Sequence, residues 1–408
     1  MTTDDTSPLV LRSGLFWDGL ADHPRTGVEV LVKDGQVVET GSEVSPSAGA
    51  EVIDLPECTL LPGLIDCHVH LADEGADSDS VPYQVLTALP ALRALLANGF
   101  TTVRDLGSAH QPLNVALRRA VEEHLVEGPR VVAAPNILSP RGGHEDKAPI
   151  LTQRYGVQIG TVADGPDEIR RMVRRQARDG ADWIKYAGSG GFSSPADSPT
   201  HLSYAQDEVD VLIATARDLD LPCAVHAFPD EAVQRAVRAG VRSVEHGTLA
   251  TDETYALMRQ HGAFLVPTQY CQRRFLDHLD DDEFWQGQPA STRRTYQALA
   301  DPMREGLLRQ ARADVSLVFG TDAGMFPHTD NWREFPTLVD HGVSPLRALR
   351  AATSEAADLL RQPGLGHLTP GATADLTAVH GDPFTDINAM GRVRLVIQNG
   401  HIAHRAAH

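Results

Sequence analysis

Eight short apolar runs alternate with helical patterns through most of this 408-residue sequence. Such alternation is typical of β-α units in a parallel sheet, and eight units in a row predict a (β/α)8 (TIM) barrel of the α/β class. An open doubly wound sheet is the alternative, but no glycine-rich G-x-G-x-x-G turn follows the first run. The predicted strands are 64–70, 100–106, 130–137, 182–188, 222–228, 242–248, 263–268 and 316–322.

The two ends of the chain have a different pattern. Both contain alternating apolar runs joined by two-residue turn signals, Asp34-Gly35 near the start and Asn399-Gly400 near the end. We therefore expect the ends to pair into one small β-sandwich domain. The predicted division is a discontinuous β-sandwich over 1–61 and 367–408 and a barrel over 62–366.

Charge and hydropathy narrow the class of protein. The formal net charge is −19. A surface that binds the phosphate backbone of a nucleic acid is positively charged, so we expect no nucleic-acid partner. The N-terminus lacks a basic region followed by an apolar one, and no segment approaches about 18 uninterrupted apolar residues. We therefore expect a cytoplasmic protein with no membrane partner.

Polar residues stand near the carboxyl ends of several predicted strands, where a barrel has its active-site mouth. A single histidine there is more often structural than functional. Imidazole is nevertheless the commonest metal ligand, and packing does not explain six polar residues at one height of a barrel. The six are His68, His70, Lys185, His226, His246 and Asp322.

Lys185 lies in the fourth predicted strand, where a buried, unpaired ammonium group would be costly. One interpretation is that its apolar stem is buried and its head pairs with a carboxylate. The other is that the neutral amine adds carbon dioxide and becomes a carbamate, an anionic ligand that bridges two metal ions. With the carbamate, the six residues suffice for two ions that each keep an open position.

Several motifs together resemble the amidohydrolase superfamily, in its binuclear subtype with a carboxylated lysine. The segment LTPGATADLTAVHGDP at 368–383 is similar to the closing strand of that family's small β-domain. GGHE at 142–145 and SPLRALRAATSEAADLL at 344–360 resemble the prolidase-like and ochratoxinase-like branch, often labelled imidazolonepropionase-like. The metal-site motifs are HVH at 68–70, IKYAGSGG at 184–191, AVHAF at 224–228, VEHGT at 244–248 and FGTDAG at 319–324.

The resemblance implies a ligand set for two divalent ions, with Zn²⁺ favoured by the histidines and Mn²⁺ or Co²⁺ as alternatives. It assigns His68, His70 and Asp322 to the inner ion. It assigns His226 and His246 to the outer ion, with carboxylated Lys185 as the bridge. We expect Asp66 to be structural or to support a ligating histidine.

The catalytic expectations follow from these parts. A hydroxide shared by the two ions would attack the scissile carbonyl, and Asp322 would carry its proton to the leaving amine. His144, in a loop after the third strand, would donate to the oxyanion, although a loop histidine without a task is the alternative. Arg273 or Arg274 could hold a substrate carboxylate, or could be a solvated surface arginine. Phe228 stands where relatives often carry tyrosine, so a hydroxyl able to contact substrate is absent.

These expectations describe a metal-dependent amidohydrolase for small amides, either dipeptides (X-Pro or another C-terminal residue) or N-acyl amino acids, assembled as a homo-oligomer. A second enzyme hypothesis is a mononuclear cyclic-amide hydrolase or deaminase, in which Lys185 is not a ligand. A third hypothesis is a non-catalytic barrel relative that serves as an assembly module. A metal count separates the first two, and metal-dependent hydrolysis of any amide would exclude the third.

Overall fold

The computed structural model describes residues 7–46, 49–72, 80–107, 112–146, 160–192 and 197–406. Within these residues the chain forms a mixed α/β fold with three sheets, two of which are wholly parallel. The parallel sheets confirm the α/β class that the alternating pattern predicts. Among the described residues, no helix is both long and apolar enough to cross a membrane.

The strands follow the predicted order, and most of the predicted barrel strands are shorter than expected. The N-terminal strands are β1 (Leu9–Phe16), β2 (Glu29–Lys33), β3 (Gln36–Gly41) and β4 (Glu51–Pro62). The parallel strands are β5 (Leu64–Val69), β6 (Phe100–Asp105), β7 (Arg130–Ala133), β8 (Ile137–Ser139), β9 (Thr161–Val162), β10 (Ile184–Ala187), β11 (Cys223–Pro229), β12 (Ser243–Leu249) and β13 (Phe264–Val266). The C-terminal strands are β14 (Leu376–His380), β15 (Val393–Gln398) and β16 (His401–Arg405).

Helices alternate with the parallel strands. In chain order they are α1 (Val81–Ala97), α2 (Leu113–Glu122), α3 (Gly165–Arg178), α4 (Gln206–Arg217), α5 (Asp230–Ala239), α6 (Asp252–His261), α7 (Gln269–Asp277), α8 (Ala290–Arg312), α9 (Glu334–Asp340), α10 (Pro345–Ala351) and α11 (Ser354–Leu359). The described residues also include two 3-10 helices, at His328–Arg333 and Ile387–Gly391. The segment 344–360 therefore forms two short helices.

The two ends of the chain share one seven-stranded sheet, as their matching patterns predict. Its strand order is β16-β15-β14-β4-β1-β2-β3, with β4 joining the N-terminal and C-terminal segments. Strands β1 and β4 are parallel, and the other neighbours are antiparallel. Residues from both ends pack into one apolar cluster, which includes Leu11, Val30 and Leu376.

The eighth predicted strand, 316–322, is not a regular strand. It makes only isolated parallel bridges, Leu265 to Leu317 on one side and Val69 to Ala323 on the other. Backbone hydrogen bonds support both contacts, for example from the Cys67 N–H to the Phe319 carbonyl oxygen at 2.9 Å. The segment therefore lies between β13 of the six-stranded parallel sheet and β5 of the three-stranded sheet.

Candidate metal centre

The six strand-end residues that the sequence singles out come together around one cavity. All six are buried, although they come from five separate parts of the chain. The cavity measures about 620 Å³ when the space open to solvent is included. The structure therefore brings together the whole predicted ligand set: His68, His70, Lys185, His226, His246 and Asp322.

Asp322 lies at the centre of this set. Its Oδ1 is 3.2 Å from His68 Nε2 and 3.3 Å from His70 Nε2. Ligand atoms of His68, His246 and Asp322 all lie within 4.8 Å of one another, a spacing that could hold a metal ion. The group joins residues assigned above to two different ions, so the division of ligands between ions stays a prediction.

Three of the four histidines make a hydrogen bond through Nδ1, whereas His226 contacts the Gly190 carbonyl oxygen through Nε2 at 3.1 Å. His68 Nδ1 is 2.8 Å from Glu245 Oε2, His70 Nδ1 is 2.7 Å from the Gly107 carbonyl oxygen, and His246 Nδ1 is 2.7 Å from Thr268 Oγ1. A contact at Nδ1 leaves Nε2 as the atom available to a metal, and such partners commonly orient metal-ligating histidines.

A buried ion pair supports His68 from behind. Arg104 donates from Nη2 to Glu245 Oε1 at 3.0 Å and from Nε to the Cys67 carbonyl oxygen at 2.6 Å, and Ser243 also donates to Glu245. Burial raises the pKa of Glu245, but Arg104 and His68 lower it more, so the carboxyl group is ionised. The sequence analysis did not predict this ion pair. The signal that could have indicated it is a charged residue inside each of two buried strands, Arg104 in β6 and Glu245 in β12.

Three residues at or beside the site have a strained backbone. His246, Thr268 and Asp322 have positive φ angles of 68°, 50° and 63°. The left-handed region is unfavourable for residues with a Cβ, and most of all for a β-branched threonine. Strain of this kind clusters at functional sites, where the surrounding structure holds a side chain in one direction.

Asp66 holds the backbone near the site and not an imidazole ring. Its carboxylate accepts hydrogen bonds from Thr321 Oγ1 at 2.7 Å, from Asn331 Nδ2 at 3.2 Å and from the His68 N–H at 3.2 Å. Burial raises its pKa to about 6. Asp66 thus connects β5 to the segment that carries Asp322. Of the two roles expected for Asp66, structural support or orientation of a ligating histidine, this is the structural one.

The Lys185 amine and the imidazoles of His226 and His246 have the properties expected of metal ligands. Lys185 is 1% exposed, and its Nζ has no hydrogen-bond partner among the described residues. Burial lowers its pKa to about 8. Burial and the nearby Lys185 lower the pKa of His226 to about 3, and burial lowers that of His246 as well. Neutral imidazoles are the form that binds metal, and an orphaned amine among them fits a carbamate ligand.

His144 is buried in the wall of the same cavity. Its ring stacks on that of His226, with 4.3 Å between ring centroids and 17° between ring planes. Gly191 packs against the His144 ring, because a Cβ at that position would lie only 2.2 Å from His144 Cε1. The loop after β10 therefore determines where this histidine sits.

The predicted substrate contacts divide into two groups. Phe228 lines the cavity and stacks on His246 with 4.9 Å between ring centroids. Arg273 and Arg274 are absent from the described lining of the cavity. Arg273 donates instead to Asp340 at 2.7 Å, and Arg274 lies over the ring of Phe284. Both arginines face away because α7 turns their side of the helix toward α9 and the loop before α8, so their placement does not support a carboxylate clamp.

Comparison with known proteins identifies the class. The amidohydrolase family matches residues 59–403, so this chain belongs to the amidohydrolase family. It is a hydrolase of the class that acts on amide bonds. This result confirms the family resemblance carried by the HVH, VEHGT and FGTDAG motifs.

Three relatives cover almost the whole chain. A crystal structure of a Xaa-Pro dipeptidase with methionine bound in its active site is 31% identical, with a TM-score of 0.89, over 98% of this chain and 100% of that one. A prolidase structure in complex with N-methylphosphonate-L-proline is 32% identical, with a TM-score of 0.88, over 98% of this chain and 100% of that one. The ochratoxinase of Aspergillus niger is 27% identical over 97% of this chain and 86% of that protein.

Proposed function

We propose that this protein is a binuclear metal-dependent hydrolase that cleaves the amide bond of dipeptides, including X-Pro, or of N-acyl amino acids. The observation that carries the proposal is the Lys185 amine, which is buried without a described hydrogen-bond partner in a cavity lined by four histidines and Asp322. The similarity to a Xaa-Pro dipeptidase, a prolidase and an ochratoxinase supports amides of this size.

The proposal includes the full architecture predicted above. A closed (β/α)8 barrel over 62–366 is supported by the contacts of segment 316–323 with β13 and β5. It is also supported by hydrogen bonds from the N–H groups of Asp182 and Trp183 to the Ala133 carbonyl oxygen, which link β10 to β7. A β-sandwich over 1–61 and 367–408 is supported by the hydrogen bond from the Val37 N–H to the Ala372 carbonyl oxygen, which joins edge strand β3 of the seven-stranded sheet to the segment before β14.

The six ligands would hold two divalent ions, with carboxylated Lys185 between them. The histidines favour Zn²⁺, with Mn²⁺ or Co²⁺ as alternatives. Ions in such a site supply a Lewis acid that polarises a carbonyl group and lowers the pKa of water. Burial of the imidazoles favours the neutral form that binds metal. Homo-oligomeric assembly and a cytoplasmic location stay predictions of the sequence.

Two side chains take part in the hydrolysis itself: one transfers the proton of the attacking water, and the other stabilises the negative charge on the carbonyl oxygen. Asp322 takes the proton from the attacking water as the water oxygen bonds to the carbonyl carbon, and then passes that proton to the amide nitrogen, so that the C–N bond breaks, the carbonyl group re-forms and the amine leaves. His144 donates a hydrogen bond to the carbonyl oxygen as negative charge develops on it. Its stack against His226 supports this role, because it holds the imidazole in the wall of the cavity.

A mononuclear cyclic-amide hydrolase is the second candidate. The group formed by His68, His246 and Asp322 has the spacing for one ion without help from Lys185. In that case the Lys185 amine would remain unmodified. The number of ions per chain and the chemical state of Lys185 distinguish the two candidates.

The first test is a metal count on wild-type protein and on Lys185→Ala, with Lys33→Ala as the matched control, since Lys33 is exposed on β2. We expect two ions per chain in the wild type and in Lys33→Ala, and no more than one in Lys185→Ala. Protein prepared with ¹³C-bicarbonate should show a carbamate resonance that Lys185→Ala lacks. One ion per chain in active wild-type protein, without the resonance, would favour the mononuclear candidate.

The second test concerns Asp322. Asp322→Asn should retain at least one ion and lose about 10²- to 10⁴-fold in kcat, the usual contribution of a general acid-base group. The measurement is metal content together with steady-state hydrolysis of a dipeptide library. A near-normal kcat with metal bound would remove Asp322 from proton transfer, and no metal-dependent turnover of any amide would contradict the proposed function.

A further inference from the structure

The cavity has a second end, away from the metal ligands, that no step above uses. It is lined by residues of α7, α8 and the loop after β10, and we call it the distal end. It consists of Phe192, Gln272, Phe275, Thr292 and Tyr296. All five are buried, so a group bound here would be largely removed from water.

Aromatic rings form one wall of the distal end. Tyr296 lies between Phe192 and Phe275, with ring centroids 4.0 Å and 4.9 Å away and ring planes within 19° and 15° of parallel. Phe192 also meets Phe228 edge to face at 5.1 Å. Since Phe228 stacks on His246, the aromatic wall continues to the metal ligands. Rigid aromatic surfaces of this kind favour flat apolar groups.

Two hydrogen-bonding side chains interrupt this wall. Thr292 is 4% exposed, and its Oγ1 is buried without a hydrogen-bond partner among the described residues. Gln272 is 3% exposed, and its Oε1 accepts a hydrogen bond from the Tyr296 hydroxyl at 3.1 Å. That bond orients the carboxamide and leaves its Nε2 group as a donor. Buried polar atoms are normally satisfied, so an orphaned hydroxyl in a cavity wall indicates a missing partner.

The distal end is uncharged in its described residues. The nearby Arg273 and Arg274 are engaged by Asp340 and by the ring of Phe284. A carboxylate placed here would lose its hydration without gaining a described counter-ion, which is unfavourable. A neutral carbonyl oxygen would instead accept from the Thr292 hydroxyl or the Gln272 amide at no such cost.

We propose that the distal end is a recognition subsite for an aromatic, uncharged substrate group that carries a hydrogen-bond acceptor. The proposal rests on the proposed function for the position of the scissile amide. It adds a preference for the side group that the substrate carries next to that amide. Thr292 and Gln272 are the donors, and the stack of Phe192, Tyr296 and Phe275 sets the shape.

The test uses three side groups of nearly equal size on the same dipeptides. The groups are 4-acetyl-, 4-isopropyl- and 4-carboxyphenylalanine, which offer a neutral acceptor, no acceptor and a charged acceptor. Each is placed at the first position of X-Pro and at the second position of Ala-X, since the subsite can lie on either side of the amide. In one of the two series, we expect kcat/KM to be about 2- to 12-fold higher for the 4-acetyl substrate than for the 4-isopropyl substrate, which is the range that one net hydrogen bond gives. The 4-carboxy substrate should have the lowest kcat/KM in that series.

Thr292→Val removes the hydroxyl and keeps the shape of the side chain. We expect it to reduce the acetyl-to-isopropyl ratio toward one while the melting temperature stays equal or rises, because an unsatisfied buried hydroxyl is replaced by a methyl group. The matched control is Thr295→Val on the same helix, whose hydroxyl donates to the Ser291 carbonyl oxygen. This control should keep the wild-type ratio.

Two outcomes would overturn the subsite: equal kcat/KM for acetyl and isopropyl in both series, or an acetyl preference that Thr292→Val preserves. A preference for the carboxy group would show that the distal end binds charge. If neither a dipeptide nor an N-acyl amino acid is cleaved, the proposed function fails, and the subsite is then tested by calorimetric binding of free 4-acetyl- and 4-isopropylphenylalanine to wild type and Thr292→Val. Tighter binding of the acetyl compound only to wild type supports the subsite even then, and equal binding contradicts it.

Discussion

Gly191 is the residue that makes room for His144. A Cβ built on Gly191 would lie 2.2 Å from His144 Cε1 and 2.4 Å from His144 Nδ1, distances that no side chain tolerates. The next residue, Phe192, belongs to the distal end of the cavity. One short loop after β10 therefore positions both the proposed oxyanion donor and part of the aromatic wall.

Gly191→Ala should displace His144 and lower kcat by about 10²-fold, the usual loss when one oxyanion donor is removed. Metal content and melting temperature should change little, since the contact is with one side chain. The measurement is kcat with metal analysis. Gly364→Ala is the matched control, because a Cβ there makes only an ordinary 3.4 Å contact with Thr373 Oγ1.

A double mutant decides whether Gly191 acts through His144. In Gly191→Ala/His144→Ala, the loss of kcat should equal that of His144→Ala alone, because the displaced group is already absent. Multiplied losses would mean that the two residues act independently, and Gly191 would then have another role.

At the scale of elements, α9 caps α7 and so supports the site. The Glu334 carboxylate accepts from the N–H of Gln269 at 2.9 Å and from that of Tyr270 at 2.6 Å, the first two residues of α7. The preceding Thr268, with its positive φ, contacts His246. Burial raises the pKa of Glu334 to about 8, although these two N–H groups lower it.

This raised pKa predicts a pH dependence of stability. The folded pKa lies above the ordinary value of 4.5, so the folded state binds the proton more tightly between these values. The free energy of unfolding should therefore fall as pH rises toward 8, by on the order of 2 kcal/mol between pH 6 and pH 8 from this group. Denaturant unfolding of metal-free protein at both pH values measures it.

Glu334→Gln should flatten this dependence, because the amide does not titrate. Glu305→Gln is the matched control, since Glu305 is exposed on α8. If wild type and Glu334→Gln lose the same stability from pH 6 to pH 8, Glu334 is not the responsible group.

At the scale of the whole molecule, the seven-stranded sheet formed by the two ends of the chain packs against the parallel sheets. Trp17, from the loop after β1, belongs to the same apolar cluster as Leu64 and Phe100 of the parallel strands. Arg130 at the start of β7 donates to Asp375 at 3.0 Å and to Asn399 at 2.8 Å in the C-terminal segment. The two regions therefore share packing and a charged contact.

We predict that the two regions unfold in one cooperative transition, with coincident curves from circular dichroism and tryptophan fluorescence. Arg130→Met should lower the free energy of unfolding by about 1 to 3 kcal/mol, because it leaves the buried Asp375 without its charged donor. Arg405→Met, at an exposed pair, is the control. Two separated transitions in the wild type would show that the regions are independent.

Much of the fold was predictable because periodicity is a local property of the chain. Buried parallel strands are apolar on both faces, so their positions and the polar residues at their ends are visible in the sequence. Seven of the eight predicted barrel strands overlap observed strands. The eighth makes only isolated bridges, and it ends at Asp322 with a positive φ that no apolar pattern reports.

The sequence by itself determined the six candidate ligands, because all six stand in predicted strands, and most of those strands are otherwise mainly apolar. Only the tertiary structure decided what holds and surrounds them. Glu245 lies 177 residues from the His68 ring that it orients, and Gly191 limits His144 from another loop. The direction of Arg273 and the orphaned Thr292 hydroxyl were likewise decided by how α7 and α8 pack. Such contacts depend on how segments that are distant in the sequence pack against one another, and local residue patterns do not encode them individually.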